Sequence, residues 1–416
     1  MKNIKYHIST IMLVTLLSVL TGQAQDDWTW EEAAPMEVSR MGHSAVAYDN
    51  KIYVFGGMTF HRQNVLISSV EIYDPETDEW TAGENLPSAL YQASAVVSGR
   101  LIYIIGGTTL GGEPNVEITV FDPRDDHHPY SRVGRLPTPR WAVGTVAVGR
   151  RILVLGGISG RQEYLRDGYW WNPADSSGHW VQAPQLNQPS AGFGLVSNGT
   201  LWAVGGISFG PLNRVEVLRN NAWVQLPRQS NLPEPRGELG LTFLGDTMMI
   251  AAGGFGRAGA ESDVFALATD SLRWRRFPSL REARAEFSLV TVGEEVYAIG
   301  GGTSTPNHVG FILATVEVLR KSNDVDDDPD PIVPSQFETA IWPNPVNGIV
   351  SISLPDVASR LQIIDLNGRI INNSSISDDN RVWREDVSSY PAGNYQVIYF
   401  DAGGIARPAG GLTVLK

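Results

Sequence analysis

The 416-residue chain contains no cysteine. This absence excludes a disulfide framework, a thiolate metal site, a cysteine nucleophile and a lipoprotein anchor. The folded protein must therefore be held together by the packing of its core, and a chain of this length can bury enough apolar surface for that.

Long amphipathic helical patterns are also missing, and the chain has no excess of positive charge. Short apolar runs that end at Gly, Pro, Asn or Asp fill most of the length, which predicts an all-β protein. The formal net charge is −13, so we expect no nucleic-acid partner.

Two familiar catalytic signatures are absent from the sequence as well. It has no HExxH and no phosphate-binding loop, and its seven histidines show no ligand spacing, so we expect no metal and no cofactor. The stretch GFGRAG (254–259) matches a dinucleotide motif, but a strand pattern follows it where a helix would be needed to hold the pyrophosphate.

Residues 1–24 have the pattern of a secretory signal peptide. Lys2 and Lys5 precede an apolar run at 11–20, and small residues lead up to Ala24. We expect cleavage after Ala24. The run is too short to span a bilayer as a helix, so we expect no transmembrane anchor, with an uncleaved anchor as the alternative.

One short pattern, an aliphatic run that ends in two glycines, recurs six times. The copies are IYVFGG (52–57), IYIIGG (102–107), ILVLGG (152–157), LWAVGG (201–206), MIAAGG (249–254) and VYAIGG (296–301). Each unit of about 50 residues contains four short strand patterns, which indicates the blade of a β-propeller. We expect the glycines to allow positive φ and close approach of neighbouring groups where the strand ends.

The aromatic residues of the units strengthen this reading. A Trp or Tyr follows the first glycine by 24 residues at Trp80, Tyr130 and Trp180, and the shorter fourth and fifth units carry Trp223 and Trp274. The units resemble kelch repeats over residues 28–320. The resemblance implies a six-bladed kelch propeller, which we place at 25–320.

The sixth unit lacks a fourth strand with its Trp. A segment that carries Trp28 and Trp30 precedes the first unit. An open ring would leave an exposed sheet edge, so we predict that this N-terminal segment completes the last blade.

Residues 321–336 are acidic and rich in proline, which predicts an extended linker. Its alternating aspartates begin like a calcium loop, but Pro329 stands where that loop needs glycine.

Residues 337–416 form a second, small β unit. It resembles the C-terminal sorting domain of type IX secretion cargo, although Trp342 replaces the more frequent Tyr. The matching residues are Pro343, Asn344, Pro345, Asp365, Gly368, Asp386 and the stretch Pro391–Tyr395. The resemblance implies an immunoglobulin-like sandwich, the type IX machinery as a partner, and a protein that is secreted across the outer membrane and is extracellular or attached to the cell surface. An ordinary adhesive β-sandwich is the alternative.

Alignment of the units on their glycine pairs brings six residues to one ring position at the entry to the innermost strand: Arg40, Leu90, Arg140, Ser190, Arg236 and Arg284. We expect the four arginines to gather at one mouth of the channel, with Glu238 and Glu286 on the same strand face because they follow two residues later. Arginine suits recognition of carboxylates, so this mouth could bind an acidic sugar. The alternative is structural, because this arginine recurs in kelch repeats and can pair with acids between blades.

The loops that follow each glycine pair vary most between units and are the other candidates for ligand contact. Their candidate residues are Arg62, Arg161, Tyr164, Phe209 and Arg257, with Phe60, His61 and His308 beside them.

Two functions follow from these patterns. We expect a binding module for a glycan or a protein. The alternative is an enzyme that acts on an acidic sugar, similar to sialic acid mutarotases with a kelch propeller, with Glu238, Glu286 and His43 as catalytic candidates.

Overall fold

The computed structural model describes residues 28–61, 63–125, 127–175, 177–303, 310–321, 341–342, 349–354, 358–365, 369–376, 382–401 and 406–414. The predicted signal peptide, the linker after Lys321, and Arg62, His308, Pro343–Pro345 and Gly368 lie outside these ranges. The chain divides into two compact units, Met1–Asp324 and Val325–Lys416.

The first unit contains six four-stranded antiparallel sheets, which we number as blades. Blade 1 consists of Ser44–Tyr48, Lys51–Phe55, Val70–Asp74 and Glu79–Gly83; blade 2 of Tyr91–Ser98, Leu101–Thr108, Glu117–Phe121 and Tyr130–Arg135; blade 3 of Gly144–Val148, Arg151–Leu155, Gly168–Trp171 and Trp180–Ala183; blade 4 of Gly194–Ser197, Leu201–Val204, Val215–Arg219 and Ala222–Gln225; blade 5 of Gly240–Leu244, Met248–Ala252, Val264–Ala268 and Arg273–Phe277; and blade 6 of Ser288–Val292, Glu295–Ile299, Val316–Lys321 and Trp28–Ala33.

Three minor elements accompany the blades. Met58–His61 pairs with Gln63–Leu66, Arg140–Trp141 pairs with Ile158–Ser159, and Arg228–Ser230 forms a 3-10 turn. The first strands of neighbouring blades contact one another around a closed circle. The second strands are almost wholly apolar and buried, as in Ile152–Leu155. They are sandwiched between two adjacent blades, so the kelch propeller expected from the sequence is the observed fold.

The N-terminal strand belongs to the last blade. Trp28–Ala33 runs antiparallel to Val316–Lys321 in continuous register. Trp30 is buried, and its indole N–H donates to the carbonyl of Pro278 at 2.8 Å. The two ends of the propeller are thus joined within a single sheet.

Each glycine pair lies where one blade meets the next. The first glycine has φ between +53° and +72°, and a Cβ placed on it would lie only 2.5–2.7 Å from the carbonyl oxygen of the ring-position residue in the following blade. In five blades the second glycine donates its N–H to that same carbonyl, for example from Gly254 to Arg284 at 2.8 Å. Only glycine satisfies both the backbone angle and the contact.

In five blades a hydrogen bond ties the aromatic residue of the fourth strand to the segment that leads into the blade. The indole N–H of Trp80 donates to Ala34 at 2.7 Å, and that of Trp274 donates to Ser230 at 2.9 Å. In blade 2 the hydroxyl of Tyr130 donates to Glu84 at 2.7 Å. Tyrosine therefore replaces tryptophan at this position because its own polar end reaches the equivalent carbonyl.

The second unit has two sheets with a shared core. Ile341–Trp342, Ile349–Ser353 and Val382–Asp386 form one sheet, and Ile370–Ser375, Ala358–Asp365, Gly393–Asp401 and Ala406–Val414 form the other. Val350 from the first sheet and Val397 from the second are fully buried in one cluster, as expected for a β-sandwich. The hydroxyl of Tyr395 donates to the carbonyl of Pro391 at 2.6 Å and fixes the turn between them.

Candidate functional site

A cavity of about 250 Å³ occupies the axis of the propeller. All six blades line it, through the first strand and the residues just before it. The cavity therefore exists only because the ring closes.

A closed ring of backbone hydrogen bonds surrounds this cavity. Its six members stand two residues after the ring position: Gly42, Gln92, Ala142, Gly192, Glu238 and Glu286. Each has φ between +49° and +58°, and each N–H donates to the carbonyl of the member in the preceding blade at 2.7–3.1 Å. The positive φ turns the backbone out of its regular strand conformation at these positions.

Glycine at two members makes room for side chains from neighbouring blades. A Cβ on Gly42 would collide with the ring of Tyr91, and a Cβ on Gly192 would collide with the carboxyl group of Glu238. The hydroxyl of Tyr91 donates to Glu286. Glu238 and Glu286 thus line one cavity, Tyr91 contacts Glu286, and both carboxyl residues keep partial contact with solvent along the axis.

The surroundings of these two glutamates favour their protonated forms. The pKa of Glu238 is raised to about 8, mainly by desolvation and to a smaller extent by the charge of Glu286. Desolvation also raises the pKa of Glu286, while hydrogen bonds from Tyr91 and Gln92 act in the opposite direction. At neutral pH the pair therefore holds at least one proton, as expected for two carboxyl groups in one site.

His43 lines the same cavity but is 94% buried, with a relative exposure of only 6%. Its pKa is lowered to about 3, mainly by desolvation and to a smaller extent by the charge of Arg40. Neither ring nitrogen makes a hydrogen bond of normal geometry, although the nearby backbone of Arg40 and Ile299 favours the protonated ring. His43 is therefore neutral at physiological pH.

These shifts predict a loss of stability on the alkaline side. Glu238 keeps its proton in the folded state up to about pH 8, whereas the unfolded chain releases it near pH 4.5. The contribution of Glu238 to the free energy of unfolding therefore falls as pH rises from 4.5 to about 8. His43 has a lowered pKa in the folded state, so its contribution rises as pH increases up to 6.5. The effect of Glu238 is therefore seen alone between about pH 6.5 and 8. We expect the free energy of unfolding to fall there by about 2 kcal/mol.

Urea unfolding followed by tryptophan fluorescence measures this change, because ten of the twelve tryptophans lie in the propeller. Glu238→Gln removes the titrating group and should flatten the profile. Glu294→Gln, at an exposed turn, should leave the profile unchanged. A profile that stays as steep in Glu238→Gln would contradict the assignment.

The four ring-position arginines are buried, with relative exposures of 0–2%. The guanidinium groups of Arg40, Arg140 and Arg284 each donate to the carbonyl of the first glycine in their own blade, at 2.9–3.0 Å. Each also pairs with a carboxylate in the third strand or directly before it. These carboxylate partners are Glu71 for Arg40, Asp167 for Arg140 and Glu317 for Arg284. Arg236 pairs with Glu261 at 3.0 Å and Glu234 at 3.1 Å.

This arrangement differs from the expectation that the arginines gather at the channel mouth. The positive φ at the ring turns the chain, so the arginine side chain and the residue two positions later do not share a face. The pairs also form within a blade rather than between blades. Direct contact of these arginines with a ligand stays a prediction, and their burial weighs against it.

Blade 4 shows how the pairing adapts. Its ring position is Ser190, and its third-strand acid Glu216 pairs instead with Arg214 at 2.8 Å. The buried carboxylate is thus neutralised by an arginine that directly precedes the strand.

The loops after the glycine pairs leave the propeller on the face where the ring lies, which we call the loop face. Four large apolar side chains are exposed there: Phe60 at 62%, Leu110 at 82%, Phe209 at 103% and Phe311 at 47%. Arg161 and Arg257 are exposed on the same loops.

Tyr164 lies on a loop of the loop face, where it bridges to Ile158. Its ring packs edge-on against Phe209 with centroids 6.2 Å apart. Burial, followed by the charge of Glu238, raises its pKa. The charge of Glu238 therefore reaches Tyr164. Around the carboxyl pair the structure adds Tyr91 and Gln92, which sequence reasoning missed. Gln92 stands two residues after Leu90, so extending the ring alignment to every blade would have identified it.

Within the described part of the chain, no group of three or more His, Asp or Glu side chains is arranged to hold a metal ion. The same residues include no helix of the length and apolar character needed to cross a bilayer.

Comparison with known proteins agrees with this architecture. Residues 42–218 match the KLHDC2/KLHL20/DRC7 Kelch-repeats domain, and residues 340–404 match the secretion system C-terminal sorting domain. Human Kelch-like protein 15 is 32% identical over 111 residues, which cover 24% of this chain and 18% of that protein. Beta-scruin of Limulus polyphemus is 36% identical over 100 residues, which cover 23% of this chain and 11% of that protein.

The matched segments are short relative to those relatives, since this chain spans no more than about a fifth of their length. They establish the repeat type and the tail, and the sorting domain supports export by type IX secretion. The chain is thus a kelch-repeat propeller protein that carries a secretion system C-terminal sorting domain.

Proposed function

We propose that this exported propeller is a binding module that holds a partner on its loop face. One observation carries the proposal: Phe60, Leu110, Phe209 and Phe311 all expose large apolar side chains on loops of the same face. The other exposed large apolar residues of the described propeller are single valines on fourth strands, Val133, Val181 and Val224. Larger apolar groups concentrated on one face indicate an interaction site.

The chemistry of these side chains favours a protein over a glycan. Protein interfaces have aromatic, aliphatic and arginine side chains at their centre, and a few of these carry most of the binding energy. Leu110 and Phe311 offer no hydrogen bond to a sugar hydroxyl, and Leu110 has no ring on which a sugar can stack. A glycan ligand held by Tyr164 and Arg161 is the second possibility.

A paired substitution tests the proposal. We expect Leu110→Asp/Phe209→Asp to weaken partner binding at least about tenfold, because loss of a central apolar contact costs 2 kcal/mol or more. Both side chains are more than four-fifths exposed, so the fold should be unaffected. The partner is captured from the producing cells with the wild-type chain and purified, and its dissociation constant is measured for each variant.

Val133→Asp/Val181→Asp is the matched control, because these valines are exposed at 41% and 52% on the outermost strands of blades 2 and 3. It should bind the partner as tightly as the wild type. Equal binding by both double variants would show that the loop face is not the site. Binding to a glycan array that is lost in Tyr164→Ala would favour the glycan.

Catalysis on an acidic sugar is supported by a different observation, the pair of glutamates in the cavity. A carboxyl group with a pKa near 8, as in Glu238, suits general acid–base transfer at neutral pH. The burial of all four arginines weighs against it, because an acidic substrate would meet carboxyl groups rather than guanidinium groups. Exchange between the anomers of N-acetylneuraminic acid, followed by NMR, should be accelerated by the wild type and not by Glu238→Gln if this alternative holds.

A further inference from the structure

We propose that the axial cavity is a binding site for a primary ammonium group, held between Glu238, Glu286 and Gln92. This site is separate from the apolar loop residues and does not depend on the partner proposed for them.

The first argument is the unmatched charge of the glutamate pair. The buried glutamates among the described propeller residues, which are Glu71, Glu216 and Glu317, each pair with an arginine. Among the described residues neither Glu238 nor Glu286 has an ion pair. Buried carboxylates are normally paired because desolvation of an isolated charge is costly. Glu238 and Glu286 are accessible to solvent and have no cationic partner in the described part of the protein. We therefore infer that their counter-charge is supplied by a bound ligand.

The second argument is an unpartnered acceptor in the same cavity. Gln92 is 92% buried, with a relative exposure of 8%, and lines the cavity. It donates to Glu286, which leaves its carbonyl oxygen without a hydrogen-bond partner. The Oγ of Ser44, 91% buried, is also unpartnered in the lining. Such buried acceptors are normally satisfied, and a ligand that donates hydrogen bonds would satisfy them.

The number of acceptors selects the type of cation. Two carboxyl groups and one amide oxygen match the three N–H donors of an ammonium group. The hydroxyl of Tyr91 already donates to Glu286 and fixes its orientation. The volume of about 250 Å³ is enough for an alkylammonium chain or the side chain of a lysine.

Binding should depend on pH because the cation requires ionised carboxylates. The titratable groups that face Glu238 are Glu286, Tyr91 and Tyr164, and His43 in the same lining is neutral. Below the pKa of Glu238, binding must expel a proton, so affinity should rise up to about tenfold per pH unit between pH 6 and 8.

NMR titration of the full chain with two probes tests the site. Butane-1,4-diamine represents a free amine, and N-acetyl-lysine N-methylamide represents a lysine on a polypeptide. We expect saturable binding of at least one probe at pH 8.5 and weaker binding at pH 6.5. Tighter binding of the lysine derivative would identify a chain-borne group as the natural ligand, and tighter binding of the diamine would identify a free amine.

Glu238→Gln and Glu286→Gln keep the side-chain shape and remove the charge, so each should weaken binding at least about tenfold, as expected for a lost charge-assisted hydrogen bond. The exposed Glu294→Gln makes the same change in net charge and should bind as the wild type does. The Leu110→Asp/Phe209→Asp variant should also keep the ammonium site, which separates this test from that of the loop face. Absence of binding at pH 8.5, or equal affinity in all three glutamine variants, would overturn the proposal.

Discussion

A chain that lacks residues 26–34 should lose the cooperative unfolding of the propeller and aggregate, or melt at least about 10 °C lower. The deletion removes Trp28–Ala33, which completes blade 6, together with the buried indole of Trp30 and its hydrogen bond to Pro278. Loss of a buried tryptophan alone costs about 3–5 kcal/mol. In addition, the deletion exposes Val316–Lys321 as an unpaired edge.

Circular dichroism melting and light scattering measure this effect. Glu31→Ala/Glu32→Ala is the control, because both side chains are exposed on the same strand and the backbone pairing remains. It should melt close to the wild type. A synthetic peptide of residues 26–34 should restore stability to the deleted chain. A deletion variant that melts within a degree or two of the parent would show that closure of blade 6 does not stabilise the ring.

Arg284→Ala should destabilise the propeller by about 3–5 kcal/mol. The guanidinium is fully buried and donates to Gly300 at 2.9 Å, to Thr315 at 3.1 Å and to Glu317 at 2.6 Å. Its removal leaves the carboxylate of Glu317, itself 2% exposed, without a counter-charge. Breaking a buried pair in this way is far more costly than the net gain of forming it.

Urea unfolding at neutral pH compares this variant with Arg281→Ala, whose side chain is 56% exposed and lies 3.5 Å from Glu32. That surface pair should contribute less than about 1 kcal/mol. Arg284→Met/Glu317→Gln should recover part of the loss, because no buried charge remains. If Arg284→Ala were as stable as Arg281→Ala, the structural role of Arg284 would be contradicted. Contact with a ligand, the other role considered from the sequence, would then be favoured.

The repeated elements could be predicted because each is fixed by local rules. Gly56 and its five counterparts must be glycine for two reasons. Their φ is positive, and a Cβ at each position would lie within 2.7 Å of a carbonyl oxygen in the next blade. Trp80 lies at a fixed offset from its glycine pair, and its indole N–H donates to the carbonyl of Ala34 in the segment that leads into the blade. The sorting domain could be recognised for a similar reason, since Pro391 and Tyr395 form one turn through a hydrogen bond.

The sequence by itself therefore determined the type of repeat and the presence of the C-terminal sorting domain, because turns, alternation and spacing act over a few residues. Tertiary structure alone decided the role of the ring residues. The positive φ at Glu238 and Glu286 turns the chain, buries Arg284 inside its blade and leaves the carboxyl groups in the cavity. That backbone angle is maintained by hydrogen bonds from one blade to the next. No rule of strand alternation can supply it, since it arises only when six blades close around one axis.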